Sequence, residues 1–577
     1  MNENKFYLTH PQPTVEVYLQ DGRVIRGERG KEIVHFLRVL PEWDNPPIVG
    51  AVINGELREL TYPIDIGSRV LPVTMADSDG TRIYRRSLTF LLEAAFEEIY
   101  PDYQLTIDHS VSSGGFFCQV IGQGQICSVD LPRLEKRMKE IVEGDSSFTR
   151  EQVPVSEAIE YFRNHGNDDK VRLLKYRQKD SLVLYRLVDH RDYHHGYMVP
   201  STGFLRWFAL STFGDGFVLQ FPRRHAPKEL LPMPEYPKLL TTFHQYGKWL
   251  NRLGIESVGA LNDAIDSNRI REIILVSEAL HEQRIADIAQ AVVNHSQQAR
   301  VVLIAGPSSS GKTTFSKRLS IQLLAQGLLP FPVEIDNYFV DREKTPKDEK
   351  GEFDFEALGA LDTQLFSDHL QKLIAGEPVQ MPKYNFRTGR SEPGDVVQLQ
   401  KDQIIILEGI HGLNPGLIPS IPQENSYKIY ISCLTQLNLD RHNRISTTDT
   451  RLLRRIVRDA TERGYNAQQT IQRWDSVRQG EKLHIFPYQE NADTIFNSAL
   501  VYELSALKPL AEPLLRQVPF GVPEYIEAKR LLAFLSWFLP VDSSLIPDNS
   551  ILREFIGESI LREFKLWKNP DRIDSIY

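Results

Sequence analysis

Hydrophobic residues recur with three different spacings along the chain. Between residues 13 and 75 they alternate with polar residues, as at Val15 and Val17, and turn residues separate the runs. This alternation is typical of strands that are buried on one face. In residues 238–297 the apolar positions lie three to four apart, which predicts helices. In residues 301–497 short apolar runs alternate with helical stretches, which favours a parallel sheet with helical crossovers.

One apolar run is followed by a glycine-rich loop. Val301 to Ile304 predicts a buried strand, and the chain becomes helical again from Thr314 to Ala325. Glycines let backbone N–H groups surround a polyphosphate, and the N-terminus of the following helix attracts its negative charge. We therefore predict a nucleotide-binding loop in which a lysine reaches the β/γ phosphates and a threonine hydroxyl binds Mg²⁺. Its residues are Gly306, Pro307, Ser308, Ser309, Ser310, Gly311, Lys312, Thr313 and Thr314.

Two further apolar runs end in an acidic residue. Phe331 to Ile335 leads to Asp336, and residues 401–407 lead to Glu408. Ligands of open α/β sheets bind beyond the carboxyl ends of the strands. Asp336 is therefore predicted to accept the proton of a hydroxyl that attacks the γ-phosphate, and Glu408 to lie near Mg²⁺. The alternative, in which Asp336 caps a turn or a helix, stays open at this point.

Four arginines have the spacing of a single helix face. Arg451, Arg454, Arg455 and Arg458 follow the i, i+3, i+4, i+7 pattern. Such a face is usually solvated. In a chain with a phosphate-binding loop, we predict instead a lid that closes over ATP and neutralises the transition state. A nucleic-acid surface is disfavoured because aromatic residues do not alternate with the arginines.

The composition narrows the class of protein. The 577 residues are enough for about three to four domains. The net charge of −9 argues against a nucleic-acid polycation. The three cysteines lack metal-type spacing, which suggests a reducing compartment. Neither a signal-peptide pattern nor an apolar run of about 18 residues is visible, so we expect a soluble, cytoplasmic protein that does not bind membranes.

Residues 298–505 resemble the uridine kinase/phosphoribulokinase family of P-loop kinases. The similar motifs are Asp336-Asn-Tyr-Phe, Phe353-Asp-Phe-Glu, Pro382-Lys-Tyr-Asn-Phe and the arginine-rich segment that ends at Gly464. The resemblance implies ATP and Mg²⁺ as cofactors and a small acceptor. The residues it implies are Asp336, Lys312 and Arg458 for catalysis, Arg463 for the phosphates, Asp336, Tyr338, Glu356, Tyr384 and Arg455 for the acceptor, and Thr313 and Glu408 for the metal. Gly389 replaces the histidine that reads pyrimidines in this family, and Tyr465 replaces a second lid arginine.

The N-terminal part resembles the TGS domain and the editing-type second domain of threonyl-tRNA synthetase. Leu19-Gln-Asp-Gly-Arg, residues 84–101 and residues 192–203 carry the resemblance. The metal-type positions of that second domain fall on Arg86, Phe90, His194 and Met198. Arginine and phenylalanine cannot replace imidazoles around a metal, so neither zinc nor editing hydrolysis is predicted. His190, His194 and His195 could be metal ligands, but a polar loop is favoured because no second ligand pair appears at metal spacing. The cleft could still bind a small molecule, such as a nucleotide, or an RNA end.

The predicted fold is an α/β P-loop kinase domain with a parallel doubly wound sheet, preceded by a β-grasp TGS-like domain and an α+β synthetase-like domain. The predicted domains are residues 1–78, 79–235, 236–297 (a helical connector), 298–505 (the kinase) and 506–577 (a helical extension that packs on the kinase or forms an oligomer face). This arrangement resembles bacterial uridine kinase-like proteins. It implies an ATP- and Mg²⁺-dependent kinase acting on a nucleoside, with the 5′-hydroxyl of uridine or cytidine as the expected acceptor. The alternatives are a kinase for another sugar or sugar phosphate, and an ATP-binding, RNA-associated regulator.

Overall fold

The computed structural model describes residues 10, 12–111, 114–122, 125–233, 236–296, 300–347, 351, 353–385, 388–400, 403–417 and 425–564. The contacts between residues divide the chain into two units. Unit 1 contains the chain up to Pro234, together with Asn438–Arg444 and Pro519–Arg530, and unit 2 contains the remainder. The predicted domain boundaries at residues 235 and 297 lie outside the described residues.

Unit 1 begins with a five-stranded mixed sheet, in the order β2-β1-β5-β3-β4. Its elements are β1 Thr14–Leu19, β2 Val24–Glu28, α1 Ile33–Leu37, β3 Ile48–Ile53, β4 Glu56–Arg58 and β5 Ser68–Thr74. The alternation of apolar residues places Val15 and Val17 in the core beside Ile33 and Leu37 of α1. One helix lies against a small mixed sheet, as in the β-grasp fold predicted from the sequence.

The second part of unit 1 is an α+β structure around a 22-residue helix. Leu88, Leu91, Leu92 and Ala95 of this helix are fully buried and join the core of the adjoining sheet, whose strand order is β12-β13-β7-β6. The elements are α2 Ser78–Ile99, β6 Gln104–Val111, β7 Gly115–Gly122, β8 Gln125–Ile126, α3 Leu131–Glu143, β9 Thr149–Pro154, α4 Val155–Asn164, α5 Asp168–Leu174, β10 Ser181–Leu187, β11 His190–Asp192, β12 Ala209–Phe213 and β13 Gly216–Gln220.

Unit 2 is built on a five-stranded parallel sheet with the order β15-β18-β14-β19-β20. Three helices occupy the region in which helical spacing was predicted, before the first strand of this sheet. The elements are α6 Pro237–Leu253, α7 Val258–Asp266, α8 Ile270–His295, β14 Val301–Ala305, α9 Lys312–Ala325, β15 Leu329–Glu334, α10 Thr363–Ala375, β16 Val379–Asn385, β17 Arg390–Val397, β18 Gln403–Glu408, β19 Ser426–Ser432, α11 Thr447–Arg458, α12 Ala467–His484 and β20 Thr494–Asn497. The central strand β14 carries the phosphate-binding loop, as the P-loop kinase fold requires.

The chain after β20 is helical. Its elements are α13 Glu503–Arg516, α14 Glu524–Leu535 and α15 Arg553–Ile556. The last helix has only four residues because Gly557 follows it with φ +88°, a conformation that stops a helix. Among the described residues, every helix is too short or too polar to cross a lipid bilayer.

Candidate active site

The loop between β14 and α9 wraps tightly because two of its positions require special residues. A Cβ atom at Gly306 would overlap the carbonyl oxygen of Ile431, so only glycine fits there. Gly311 has φ +87°, in the left-handed region that favours glycine, and Ser309 has φ +58°. The hydroxyl groups of Ser309 and Ser310 are buried without a hydrogen-bond partner among the described residues. A phosphate held in this loop would supply acceptors, so these residues fit a nucleotide.

The predicted phosphate and metal residues come together at the start of α9. Lys312 donates from Nζ to the carbonyl oxygen of Pro307 at 3.3 Å. The Thr313 hydroxyl donates to Glu408 at 3.2 Å, because β14 and β18 are paired so that Ile304 lies beside Glu408. A hydroxyl and a carboxylate are the oxygen ligands that Mg²⁺ uses, usually with several waters. The pair therefore fits the metal that the fold implies.

Asp336 follows β15, the neighbouring strand of β18, and faces the same edge of the sheet. Burial raises the pKa of Asp336, and the positive charge of Lys312 partly opposes this. Burial also raises the pKa of Glu408 to about 8, with Lys312 opposing and Asp336 and Glu554 adding to the rise. The Asp336 side chain is nevertheless exposed to solvent, so its carboxylate can be reached from outside the protein.

Two of the four arginines on α11 do not belong to a lid. Arg451 and Arg454 are almost fully buried. Arg451 pairs with Glu481 and donates to the carbonyl oxygen of Ser308 at 2.9 Å, and Arg454 pairs with Glu503 at 2.6 Å. The predicted lid face is wrong for these two residues, because buried carboxylates from later helices hold them. Both arginines stabilise the phosphate-binding loop by donating to its backbone carbonyl groups.

The other lid residues surround one carboxylate. Arg455, Arg458 and Arg463 lie 3.3, 3.1 and 3.8 Å from oxygens of Asp459. Arg455 also donates to the Ser308 hydroxyl at 2.9 Å, which brings its charge to the phosphate-binding loop. Arg458 is buried, whereas about half of the Arg463 side chain is exposed. Their role as a lid stays a prediction.

The predicted acceptor residues separate into two groups. Glu356 lies near the catalytic groups, and burial, reinforced by the charge of Glu481, raises its pKa to about 7. Gly480 makes room for it, since a Cβ there would overlap Glu356. Tyr338 is 2% exposed, and its hydroxyl pairs with His369 at 3.2 Å in the core below α10. This placement contradicts the predicted contact of Tyr338 with substrate.

The predicted acceptor residue Tyr384 lies close to Gly389. Arg342 fills the space beside Gly389, where a Cβ atom would lie 2.9 Å from its Cβ and Nε atoms. Burial raises the pKa of Tyr384, and Arg342 opposes the rise, so the guanidinium lies close to the phenol. Where the kinase family has a histidine, this chain has a glycine that admits an arginine.

Sequence reasoning missed Glu481 as part of the site. Its carboxylate accepts from the backbone N–H of Ser308 at 3.2 Å and pairs with Arg451 and Arg478. It is fully buried. A signal was available, because Glu481 follows the buried residues Trp474 and Val477 at helical spacing on α12. An acid within an apolar helix face predicts a buried ion pair.

In unit 1, the metal-type positions hold no metal-ligand set. Arg86 donates to the carbonyl oxygen of Tyr197 at 2.5 Å, and Met198 is buried. Phe90 packs its ring 5.5 Å from the ring of His194. His194 lies in the loop after β11, as interpreted, and is buried there and pairs with Glu93 at 3.1 Å. His190 lies within β11 instead, so the loop interpretation is wrong for His190.

A second cluster lies one turn further along α2. Glu93, His190 and Asp192 offer ligand atoms within 4.8 Å of one another, close enough in principle for a metal ion. A cation is already present, however, because the ammonium group of Lys170 contacts Asp192 and lies 3.0 Å from Nδ1 of His442. Lys170 is fully buried. The cluster is therefore a charge network that a lysine neutralises.

The segment Asn438–Arg444, which joins β19 to α11, completes this network. Arg441 pairs with Asp169 at 2.8 Å, and Asp440 accepts from the Tyr193 hydroxyl. Asn438 donates to the carbonyl oxygen of Ile107 at 3.2 Å. Unit 1 therefore takes several of its internal contacts from a stretch of chain inserted between two elements of unit 2.

Two regions of the chain are similar to known proteins. Residues 301–505 match the model of the Phosphoribulokinase / Uridine kinase family. Among solved structures, a "Possible Uridine Kinase" from Bacillus stearothermophilus is 19% identical, covering 37% of this chain and 98% of its own, with a TM-score of 0.27. D-glycerate 3-kinase from Cryptococcus neoformans var. grubii is 16% identical, covering 50% and 92%, with a TM-score of 0.22.

The N-terminal region matches threonine–tRNA ligases. The ligase of Burkholderia lata is 34% identical over 197 residues, which are 34% of this chain and 31% of the ligase. That of Clostridium kluyveri is 29% identical over 190 residues, which are 33% of this chain and 30% of the ligase. This chain thus spans about a third of the length of these relatives. Residues 301–505 are thus similar to the Phosphoribulokinase / Uridine kinase family, and the N-terminal region is similar to part of the threonine–tRNA ligases.

Proposed function

We propose that the chain is an ATP- and Mg²⁺-dependent kinase that phosphorylates a hydroxyl group of a nucleoside, with the 5′-hydroxyl of uridine or cytidine as the first candidate. One observation carries this proposal. Lys312, the Thr313–Glu408 pair and Asp336 lie at the carboxyl ends of three adjacent parallel strands. Phosphoryl transfer requires positioned phosphates, neutralised charge and a group that accepts the hydroxyl proton, and these residues can provide all three.

Each residue has a distinct part in the reaction. ATP would supply the phosphoryl group, and Mg²⁺ would neutralise charge on it. Lys312 would bind the phosphates, and Thr313 and Glu408 would hold the metal. Asp336 accepts the proton of the acceptor hydroxyl as its oxygen bonds to the γ-phosphorus and the bond to the leaving ADP oxygen breaks. The raised pKa of Asp336 makes this carboxylate a stronger base than an ordinary one.

The test is a transfer assay. The full chain is incubated with ATP, Mg²⁺ and a panel of nucleosides, sugars and sugar phosphates, and phosphorylated products are detected by mass spectrometry. Asp336→Asn should lower kcat about 10²- to 10⁴-fold without preventing ATP binding. The control is Glu343→Gln, which removes an exposed carboxylate nearby. Retained transfer in Asp336→Asn would remove this residue as the base.

A phosphorylated sugar is a second candidate acceptor, favoured by Arg342. A guanidinium beside Tyr384 and Gly389 suits an anionic group, since it can bind a phosphate through two parallel hydrogen bonds. Arg342→Gln should raise KM for a phosphorylated acceptor and leave KM for an uncharged nucleoside within about threefold. Equal effects on both classes would count against this candidate.

An ATP-binding regulator is the candidate from another class. The homology of the N-terminal region to threonine–tRNA ligases supports a nucleotide or RNA ligand for unit 1. Under this alternative, ATP would be bound or hydrolysed without any phosphorylated acceptor in the panel. That outcome would exclude the kinase proposal.

A further inference from the structure

A segment that follows the kinase-like region contacts the phosphate-binding loop. Residues 542–561 lie beyond the segment 301–505 that matches the kinase family. Within this stretch, Ile551 covers Gly311 so closely that a Cβ atom on the glycine would lie 2.5 Å from Cγ2 of the isoleucine. The ring of Phe555 packs 4.9 Å from the guanidinium of Arg454. We call residues Ile551–Leu561 the C-terminal strap.

One carboxylate of the strap takes a donor that a nucleotide would use. Oε2 of Glu554 accepts from the backbone N–H of Thr314 at 3.0 Å. Thr314 lies in the first turn of α9, where N–H groups have no acceptor within the helix. These are the groups that bind the phosphates in a loop of this kind. Glu554 therefore stands, as a tethered anion, at the phosphate-binding end of α9.

The strap is fastened at both ends. Lys317, one turn further along α9, donates to the carbonyl oxygen of Leu561 at 2.7 Å. Arg553 is buried and donates to the carbonyl oxygens of Ser543 and Ile546 at 3.0 and 2.7 Å. These contacts keep Glu554, which lies in the four-residue helix α15, close to the backbone N–H group of Thr314. The neighbouring side chains of Ile551, Leu552 and Phe555 are fully buried, whereas Glu554 is only partly buried.

We infer that the C-terminal strap is an autoinhibitory element, and that Glu554 must leave the Thr314 N–H group before the phosphates of a nucleotide can bind there. This inference rests on the proposed ATP site. The physical reason is that the Glu554 carboxylate and a phosphate would compete for the same Thr314 N–H group, and two negative charges that lie this close to one donor repel each other. Nucleotide binding and strap docking are then mutually exclusive at this position, and each lowers the affinity of the other.

Nucleotide binding measured by calorimetry on the full chain tests the inference without requiring an acceptor. ATP with Mg²⁺ is titrated into wild type, Glu554→Gln and Glu554→Ala. The control is Asp548→Asn, which removes an exposed carboxylate from the same stretch. The dissociation constant should fall about tenfold in both Glu554 variants and stay within about twofold in the control. Unchanged or weaker binding in the Glu554 variants would overturn the inference while leaving the ATP site intact.

A second measurement uses only the wild-type chain, so it does not depend on how the variants fold. Hydrogen exchange of peptides that cover 551–561 is followed with and without ATP and Mg²⁺. The strap should exchange faster when nucleotide is bound, whereas the start of α9 should exchange more slowly. Slower exchange in both places would show that the strap closes on the nucleotide and would overturn the inference. Absence of nucleotide binding by wild type and both Glu554 variants would overturn the proposed function together with the inference.

Discussion

Replacement of Lys170 by methionine should open unit 1 locally. Lys170 is fully buried, and its ammonium group contacts the carboxylate of Asp192, of which 2% is exposed. Burial alone would lower the pKa of Lys170, but Asp192 and Asp440 outweigh it and raise the pKa, so the side chain stays charged. Methionine has a similar length and no charge. The substitution leaves Asp192 buried without its cation, and removing one partner of such a pair costs about 3–5 kcal/mol.

The magnitude can be measured by native-state hydrogen exchange. Each 1.36 kcal/mol corresponds to a factor of ten, so exchange in α5 and β11 should accelerate roughly 10²- to 5 × 10³-fold. The acceleration should extend to residues 438–444, because Arg441 and His442 belong to the same network. Lys179→Met, at an exposed position in unit 1, is the matched control and should change exchange less than about threefold.

A double substitution separates the lost ion pair from lost packing. Adding Asp192→Asn to Lys170→Met removes the unpaired charge, so part of the stability should return. An acceleration in Lys170→Met no larger than in Lys179→Met would refute the argument that Lys170 neutralises the network. The argument would also be refuted if the double variant lost more stability than the two single variants lose together. The two side chains would then not be coupled favourably.

Three other predictions concern single positions. The folded-state pKa of His190, about 9, results from burial, which lowers it, and from stronger hydrogen bonds to Glu93 and Glu97. The contribution of His190 to the free energy of unfolding, up to about 3 kcal/mol, is complete below its unfolded pKa of about 6.5 and is lost as the pH rises through about 9. The free energy of unfolding of His190→Asn, measured by chemical denaturation, should therefore depend less on pH than that of wild type. An equal pH dependence in both proteins would contradict this prediction. Burial raises the pKa of Glu356 to about 7, so the KM of the acceptor should fall as the pH rises from about 6 to 8, because the ionised carboxylate accepts stronger hydrogen bonds from hydroxyl groups. In Glu356→Gln, the KM should no longer depend on pH in this range. Gly306→Ala should weaken ATP binding at least tenfold in calorimetry, because the added Cβ would displace the loop from Ile431, and normal affinity would show that the loop can move.

The sequence predicted those parts of the site that depend on neighbouring residues in the chain. Thr313, Asp336 and Glu408 could be placed because each follows or ends an apolar strand, and the parallel sheet brings the strand ends together. Pairings between distant helices could not be predicted in the same way. Whether Arg454 closes over ATP or lies buried depends on Glu503, which is 49 residues away and comes into contact only in the folded chain.

Tyr338 shows a related limit. It lies two residues after Asp336, and the family resemblance of the Asp336-Asn-Tyr-Phe motif implied that it contacts the acceptor. The short 3₁₀ turn Ile335–Tyr338 points the two side chains in different directions, and the phenol enters the core against Phe366. A propensity-based reading cannot distinguish these directions, because the turn consists of only four residues and has no periodicity to extend.

The segment Asn438–Arg444 has a consequence for the order of events during synthesis. Asp169 and Tyr193 are translated early, but their partners Arg441 and Asp440 emerge only after roughly 200 further residues beyond Pro234. At about 5–20 residues per second, this interval lasts roughly 10–40 s. Glu527, which pairs with Arg82 at 3.0 Å, emerges later still. The nascent N-terminal region therefore carries unmatched charges on the ribosome, and its final folding step waits until most of the kinase domain has been made.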